Sequence, residues 1–185
     1  MKNNFKNLTG LIIGCGSIGK RHLYNLKNLG VKDLSIFDKD KKLLDLVSKK
    51  YSVKKFNDLQ TALSFKPDFS VICTFPNSHI QIANHCIKSN SNIFIEKPIS
   101  FDMKGVMSML NIAKSKNLKV AIGYNLRFDK GLNLLKKKLQ QRVIGAPISI
   151  LIKFGHNIQF WRPGTNYKNH YILRKGGGII LDGSH

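Results

Sequence analysis

The chain has 185 residues, of which 42% are hydrophobic, so it is long enough for one domain of ordinary size and part of another. This composition excludes a disordered chain, and the apolar runs are too short for a signal peptide or a membrane span, so we expect a cytoplasmic protein. The formal net charge of +21 comes from lysines scattered over the predicted helices and turns, which is typical of a solvated surface and not of a specific nucleic-acid site.

The first predicted strand, Leu8 to Ile13, leads into a glycine-rich loop and then into a helical pattern. Gly14, Gly16 and Gly19 have the G-x-G-x-x-G spacing of a dinucleotide-binding loop. In that mechanism the first glycine permits the turn, the second lets the backbone approach the pyrophosphate, and the third lets the helix pack on the strand. Free amides at the helix start then hold the diphosphate. The cofactor-binding residues predicted in this loop are Gly14, Gly16, Ser17, Ile18 and Gly19.

An acidic residue follows the second predicted strand, Leu34 to Phe37. Asp38 lies 19 residues beyond Gly19, where a carboxylate accepts hydrogen bonds from a ribose 2′-hydroxyl. Because a carboxylate repels a 2′-phosphate, Asp38 favours NAD as the cofactor. The adjacent Lys39 leaves NADP open as an alternative.

Strands and helices alternate along the following chain, which predicts an α/β fold with a doubly wound parallel sheet, that is, a Rossmann domain. The predicted elements after Asp38 are, in order, a helix from Lys41 to Lys50, a strand from Tyr51 to Phe56, a helix capped by Asn57 or Asp58 and ending at Ser64, a strand from Phe69 to Cys73, a helix from Pro76 to about Ser89, a strand from Ile93 to Ile95, a helix from Met103 to Lys116, and a strand from Lys119 to Ile122.

Chemically capable side chains follow the predicted strands at their carboxyl ends, which is the edge where open parallel sheets bind ligands. Each has a plainer interpretation: Asn77 caps its helix, His79 is a satisfied buried histidine, and Glu96 is a buried acid paired with Lys97. Because the whole set falls at one edge, we predict that the cofactor site also includes Thr74, Pro76, Asn77, His79, Glu96 and Lys97.

The three cysteines, Cys15, Cys73 and Cys86, have neither C-x-x-C nor metal-ligand spacing. We therefore expect free thiols and no metal site. Cys15 falls inside the glycine loop, where it is either a small residue that fits or a thiol whose alkylation blocks the cofactor.

The pattern changes from Ala146, where Ile148, Ile150 and Ile152 alternate as in a strand with one exposed face. We predict the start of an incomplete α+β open-sheet domain in this part of the chain. The predicted dinucleotide-binding domain is therefore residues 1–124, and residues 125–185 begin a substrate and oligomerisation domain.

Several motifs together resemble the Gfo/Idh/MocA family of oxidoreductases, which includes glucose-fructose oxidoreductase and inositol dehydrogenase. The more specific ones are Glu96-Lys97-Pro98 after an apolar strand and the triple-glycine segment from Gly176 to His185. Trp161 to Gly164 resembles a subgroup that acts on sugars or their derivatives. The resemblance also covers Gly14 to His22, Thr74 to His79 and Gly123 to Phe128.

The resemblance implies an NAD(P)-dependent dehydrogenase that moves a hydride between a nicotinamide cofactor and a hydroxyl or keto group of a sugar, cyclitol or sugar derivative. It implies that Lys97 contacts the reacting hydroxyl, His185 is the general acid/base, and Asp182 orients the substrate. It also implies a homo-oligomer for the full-length form. A non-catalytic NAD(P)-binding sensor or partner-binding protein is the alternative. The implied substrate-binding residues are Tyr124, Asn125, Arg127 and Trp161.

Two departures from the family pattern concern the end of the chain. Asp182 lies three residues before His185, whereas many family members have four, and both spacings share one helix face. The chain also stops at His185 where family members continue with most of the substrate domain. We therefore expect a truncated form.

Overall fold

The structure is a computed structural model that describes residues 5–153 and 155. It divides the chain into two compact units, Met1–Gly123 and Tyr124–His185. A short 3₁₀ helix, Phe5–Asn7, precedes the alternating elements of the first unit. These elements are β1 (Thr9–Ile13), α1 (Ser17–Asn28), β2 (Asp33–Phe37), α2 (Lys41–Tyr51), β3 (Lys54–Phe56), α3 (Leu59–Ser64), β4 (Phe69–Ile72), α4 (Pro76–Lys88), β5 (Asn92–Ile95), α5 (Val106–Ser115) and β6 (Val120–Ile122).

The strands form one six-stranded sheet in the order β3-β2-β1-β4-β5-β6, and every neighbouring pair is parallel. The chain runs outward from β1 to β3, crosses back to β4, and then runs outward on the other side. The strand order therefore reverses between β1 and β4, which is where such sheets form a ligand crevice at their carboxyl ends. The predicted α/β, doubly wound fold is confirmed.

Two buried cores cover the two faces of the sheet because successive strand residues point to opposite sides. In β1, Ile12 lies in one core, while Leu11 and Ile13 lie in the other. The first core also holds Leu23 of α1 and Leu44 of α2, and the second contains residues of α3, α4 and α5. Each fully buried side chain of this size stabilises the fold by about 2 kcal/mol.

Acidic residues cap two helices of the first unit. The Asp40 side chain accepts a hydrogen bond from the Leu43 amide at 3.0 Å at the start of α2. The Asp58 side chain accepts one from the Thr61 amide at 2.7 Å at the start of α3, so Asp58 and not Asn57 is the cap. Both contacts satisfy helix amides that have no partner within the helix.

The predicted starts of β3 and α5 are wrong, because a residue with a positive φ precedes each element and the sequence pattern does not reveal it. The third strand was predicted from Tyr51, but α2 includes that residue and ends at Ser52 with a φ of 49°, so β3 begins at Lys54. The helix predicted from Met103 begins at Val106, since Gly105 before it has a φ of 78°. A positive φ cannot continue a right-handed helix.

The second unit contains, within the described residues, a 3₁₀ helix Asn125–Phe128 and the helix α6 (Lys130–Gln140). Asp129 caps α6 by accepting a hydrogen bond from the Leu132 amide at 2.9 Å. The predicted strand with Ile148, Ile150 and Ile152 is absent from the described part of this unit, and these three side chains are exposed. A strand needs a neighbour to take its backbone hydrogen bonds, and the described residues offer none there.

No helix in residues 5–153 is long and apolar enough to cross a bilayer.

Candidate functional site

The glycine loop between β1 and α1 has the geometry that its spacing predicts. Gly14 has a φ of 98°, and a Cβ at this position would lie 2.8 Å from the carbonyl carbon and oxygen of Cys73. A Cβ at Gly19 would lie 1.9 Å from the Gly14 carbonyl oxygen. No larger residue fits at either position, because the turn is tight and α1 packs directly against it.

The start of α1 is open on the side where a ligand would approach. A Cβ at Gly16 would meet no atom within 4 Å, and Ser17 is exposed. No side chain caps α1, so its first-turn amides lack a capping acceptor. An uncapped helix start carries partial positive charge and suits an anion such as a diphosphate. Ile18 packs against the core, so only its backbone amide is suitably placed for the cofactor.

Asp38 lies at the carboxyl end of β2 and ties that strand to the glycine loop. Its Oδ2 accepts a hydrogen bond from the Cys15 amide at 2.6 Å, and its Oδ1 accepts one from the Asp40 amide at 2.9 Å. These bonds fix the carboxylate beside the loop. Each carboxylate oxygen keeps a further lone pair, which is the acceptor that a ribose hydroxyl requires.

The three cysteines are free, as their spacing predicted, and all three are buried. Burial, together with the negative charge of Asp38, raises the pKa of the Cys15 thiol to about 12. Burial likewise raises the pKa of Cys86 to about 11 and raises that of Cys73. Since thiolates are the reactive form, Cys15 is a small packing residue and not a readily alkylated thiol. The described residues contain no group of three or more side chains able to hold a metal.

The loop after β4 leads into α4 through Thr74 and Pro76. Ser78 Oγ lies 2.8 Å from Thr74 Oγ1 and 2.9 Å from the Phe75 carbonyl oxygen. Pro76 is buried in the first turn of α4, where a missing amide hydrogen costs nothing, so it begins the helix and does not present its ring to a ligand. Asn77 is exposed and does not cap the helix.

His79 lies beneath this loop and is only 1% exposed. Its Nδ1 lies 3.0 Å from the Pro98 carbonyl oxygen, and its Nε2 lies 3.0 Å from the Thr74 carbonyl oxygen. Burial lowers the pKa of His79, although the facing carbonyls act in the opposite direction. Both ring nitrogens face the backbone, so His79 links the loops that follow β4 and β5. Its contact with the cofactor stays a prediction.

Glu96, at the end of β5, is paired with a residue that the sequence did not single out. Its Oε1 lies 2.6 Å from Nε2 of His22 on α1, and its Oε2 accepts a hydrogen bond from the Lys97 backbone amide at 3.2 Å. A Cβ at Gly123 would lie 3.1–3.2 Å from the Glu96 carboxyl group. The sequence feature that could have pointed to His22 is its position as a polar residue within the apolar face of α1.

The remaining predicted residues lie in the second unit or beyond the described chain. Asn125 and Arg127 belong to the 3₁₀ helix and are exposed, and Tyr124 precedes it. Their role in substrate binding stays a prediction. Trp161, Asp182 and His185 lie outside the described residues.

A cavity at the opposite, amino edge of the sheet holds none of the predicted site residues. It is lined by Thr9, Asp33, Lys54 and Phe65, among others. Parallel sheets bind ligands at their carboxyl edge, so the glycine-loop crevice is the stronger candidate.

The strand order and the glycine loop define a Rossmann domain of the dinucleotide-binding class. Residues 8–124 match the model of the oxidoreductase family with an NAD-binding Rossmann fold, named GFO_IDH_MocA. The chain belongs to this Gfo/Idh/MocA family of oxidoreductases, as its motifs indicated.

Curated relatives include inositol dehydrogenases. The myo-inositol 2-dehydrogenase of Thermotoga maritima is 29% identical over 92% of this chain and 50% of its own length. The inositol 2-dehydrogenase of Salmonella typhimurium is 31% identical over 75% of this chain and 43% of its own. The chain thus spans about half the length of the curated relatives it matches.

Solved structures give the same result for the fold. The scyllo-inositol dehydrogenase of Lactobacillus casei, solved with bound NAD(H) and scyllo-inositol, has a TM-score of 0.69 and 25% identity to this chain. The match covers 76% of this chain and 43% of that one. A probable dehydrogenase from Thermotoga maritima has a TM-score of 0.68 and 28% identity, covering 75% of this chain and 42% of that one.

Proposed function

We propose that this chain is the cofactor-binding part of an NAD-dependent dehydrogenase that acts on a hydroxyl group of a cyclitol or a related sugar derivative. The observation that carries the proposal is the open space over Gly16 at the uncapped start of α1. The named activities of the inositol dehydrogenase relatives support the substrate class.

The position of Asp38 supports NAD over NADP. Its carboxylate is held at the end of β2 by two backbone amides, so it stays beside the expected ribose. A fixed carboxylate accepts a 2′-hydroxyl but repels a 2′-phosphate. The exposed Lys39 next to it is a mobile charge on a long side chain and offsets this repulsion only in part.

The cofactor-binding roles that we propose differ between loops. Gly16, Ser17, Ile18 and Gly19 offer backbone amides to the diphosphate, whereas Gly14 and Pro76 shape their loops. Among the predicted residues that follow β4, Thr74 and Asn77 have polar side chains that are not fully buried. Glu96 and Lys97 lie at the end of β5, toward which the nicotinamide end of the dinucleotide would extend.

The proposed chemistry assigns a task to each candidate catalytic side chain. When bound, the nicotinamide accepts or returns the hydride. The Lys97 ammonium stabilises the charge that develops on the substrate oxygen, an effect worth about 3 kcal/mol for one preorganised donor. His185 takes the hydroxyl proton, which suits an imidazole near neutral pH, and Asp182 orients the substrate.

The proposal is tested first by binding and then by turnover. We expect NADH to bind more tightly than NADPH in a calorimetric titration, and Asp38→Asn to reduce that preference. Binding of neither cofactor would contradict the proposal.

Turnover is followed as NADH formation with a panel of inositols, other cyclitols and sugars. In the full-length form, we expect Lys97→Ala to abolish turnover while leaving NADH affinity nearly unchanged. Tight NADH binding with no turnover across the panel in the wild-type protein would favour the non-catalytic sensor instead. The cytoplasmic location and the homo-oligomer stay predictions.

A further inference from the structure

We propose that His22 is a positioning residue for the nicotinamide end of the site, because it holds the Glu96 carboxylate in place beside Lys97. The inference rests on the proposed function. His22 belongs to α1, whose first turn is the candidate diphosphate site, so one helix would serve both ends of the dinucleotide.

The contact between His22 and Glu96 is short and partly shielded from solvent. Nε2 of His22 lies 2.6 Å from Oε1 of Glu96, and the two side chains are 21% and 14% exposed. The imidazole also packs edge-on against Phe94 of β5, with 5.1 Å between the ring centroids. These two contacts limit the rotation of the ring, so it presents Nε2 steadily to the carboxylate.

The Glu96 carboxylate is restrained from other directions as well. Its second oxygen accepts the Lys97 amide at 3.2 Å, which joins the carboxylate to the backbone of Lys97 itself. On a further side, the carboxyl group lies close to Gly123, where a Cβ would be 3.1–3.2 Å from its atoms. His22 therefore supplies a side-chain contact to a carboxylate that has neighbours in α1, at the end of β5 and at the end of β6.

The location of the pair indicates a role in positioning more than in stability. A shielded pair of polar groups contributes little net stability, because removing both groups from water costs free energy that offsets their attraction. A carboxylate bound by a charged or polar donor is nonetheless well oriented, since such hydrogen bonds are short and directional. Freed from His22, the Glu96 side chain would rotate, and the Lys97 amide would lose its fixed acceptor.

The test compares two ligands that differ only at the nicotinamide end. Dissociation constants for NADH and for ADP-ribose, which lacks the nicotinamide, are measured for the wild-type chain and for His22→Ala. We expect His22→Ala to weaken NADH binding by about tenfold, because NADH binding would then have to order the Glu96 side chain, and to leave ADP-ribose binding within about twofold. If the substitution disrupted the glycine loop or α1, the binding of both ligands would weaken equally.

Two further variants separate the contact from general damage. His22→Gln keeps an N–H donor at a similar reach, so we expect it to restore most of the NADH affinity. His85→Ala is the matched control, because His85 also lies on a helix and contacts a side chain, Gln60, at 3.1 Å. We expect that control to change neither dissociation constant.

A double-mutant cycle completes the test. In a Glu96→Ala background, His22→Ala should weaken NADH binding less than twofold further, because the two residues act through one contact. Equal loss of both ligands, no loss of either, or additive effects in the cycle would each overturn the role of His22. Failure of the wild-type chain to bind NADH would instead overturn the proposed function from which the inference starts.

Discussion

At the residue scale, Gly16 and Gly19 belong to one glycine motif but tolerate a side chain very differently. A Cβ at Gly19 would lie 1.9 Å from the Gly14 carbonyl oxygen, a backbone atom that cannot move aside cheaply. We expect Gly19→Ala to lower the free energy of unfolding by about 2 kcal/mol, as overpacking usually does, and to weaken NADH binding. Urea unfolding measures the first effect and a binding titration the second.

Gly16→Ala is the matched control for that substitution. Because a Cβ at Gly16 would meet no atom within 4 Å, its free energy of unfolding should stay within about 0.5 kcal/mol of the wild-type value. NADH binding should still weaken, since the new methyl group would occupy the space that the diphosphate approaches. Equal stability losses in the two variants would contradict this account of the loop.

His79 makes a prediction about pH. Burial holds its native pKa below the ordinary value of 6.5, so the unfolded state binds more protons as the pH falls. Stability is intact above pH 6.5 and is lost as the pH drops from there through the native pKa. We expect the free energy of unfolding to fall across this range in the wild-type chain but much less in His79→Gln. Urea unfolding above and below pH 6.5 measures both slopes.

The control for His79 is a histidine on the same helix. His85 contacts Gln60 at an exposed position, so His85→Gln should retain the pH dependence of the wild-type chain. An unchanged slope in His79→Gln would show that another group is responsible.

Spacing alone located the backbone features of the site but not its side-chain pairs. The glycine loop and Asp38 have fixed separations along the chain, so the sequence predicts them. The contact of His22 with Glu96 joins residues 74 positions apart, and it depends on the rotation of α1 over β5. The burial of His79 depends in the same way on where the Pro98 carbonyl lies.

At the scale of elements, the caps are the features most open to test. Asp40 accepts the Leu43 amide at 3.0 Å, so Asp40→Ala should lower the free energy of unfolding by about 1 kcal/mol, whereas Asp40→Asn should restore most of it. Asp45→Ala is the control, because Asp45 only pairs with Lys55 on the exposed surface and should contribute less. Equal effects of Asp40→Ala and Asp45→Ala in urea unfolding would contradict the capping role.

Apolar runs predicted the central strands well because both of their faces are buried. The errors fall where local backbone geometry or a distant partner decides the outcome. Ser52 and Gly105 take positive φ angles that no periodicity reveals. The alternation at Ile148 to Ile152 has the spacing of a strand, but spacing does not provide the neighbour that a strand requires.

At the scale of the whole molecule, the net charge of +21 makes a prediction of its own. Scattered lysines attract any polyanion, but such binding weakens steeply as salt replaces the released counterions. We expect duplex DNA to bind without sequence preference and to lose at least about tenfold in affinity between about 50 and 200 mM salt. Fluorescence anisotropy with two unrelated duplexes measures both properties, and a salt-resistant preference for one of them would contradict the prediction.

The strand order explains why distant residues form one site. The sequence places Gly16, Asp38, Thr74 and Glu96 after four different strands, but it does not give the order of those strands in the sheet. The order β2-β1-β4-β5 puts the four strand ends side by side at one edge. That adjacency is the structural basis for the proposed dinucleotide site.

The measurement that tests the central claim most directly is hydrogen–deuterium exchange of the chain with and without NADH. We expect NADH to slow exchange at the backbone amides of residues 16–19 and in the segments that contain Asp38, Thr74 and Lys97. Exchange in β3 and at Asp33, beside the amino-edge cavity, should not change. Unchanged exchange at residues 16–19, or slower exchange only at the amino edge, would contradict it.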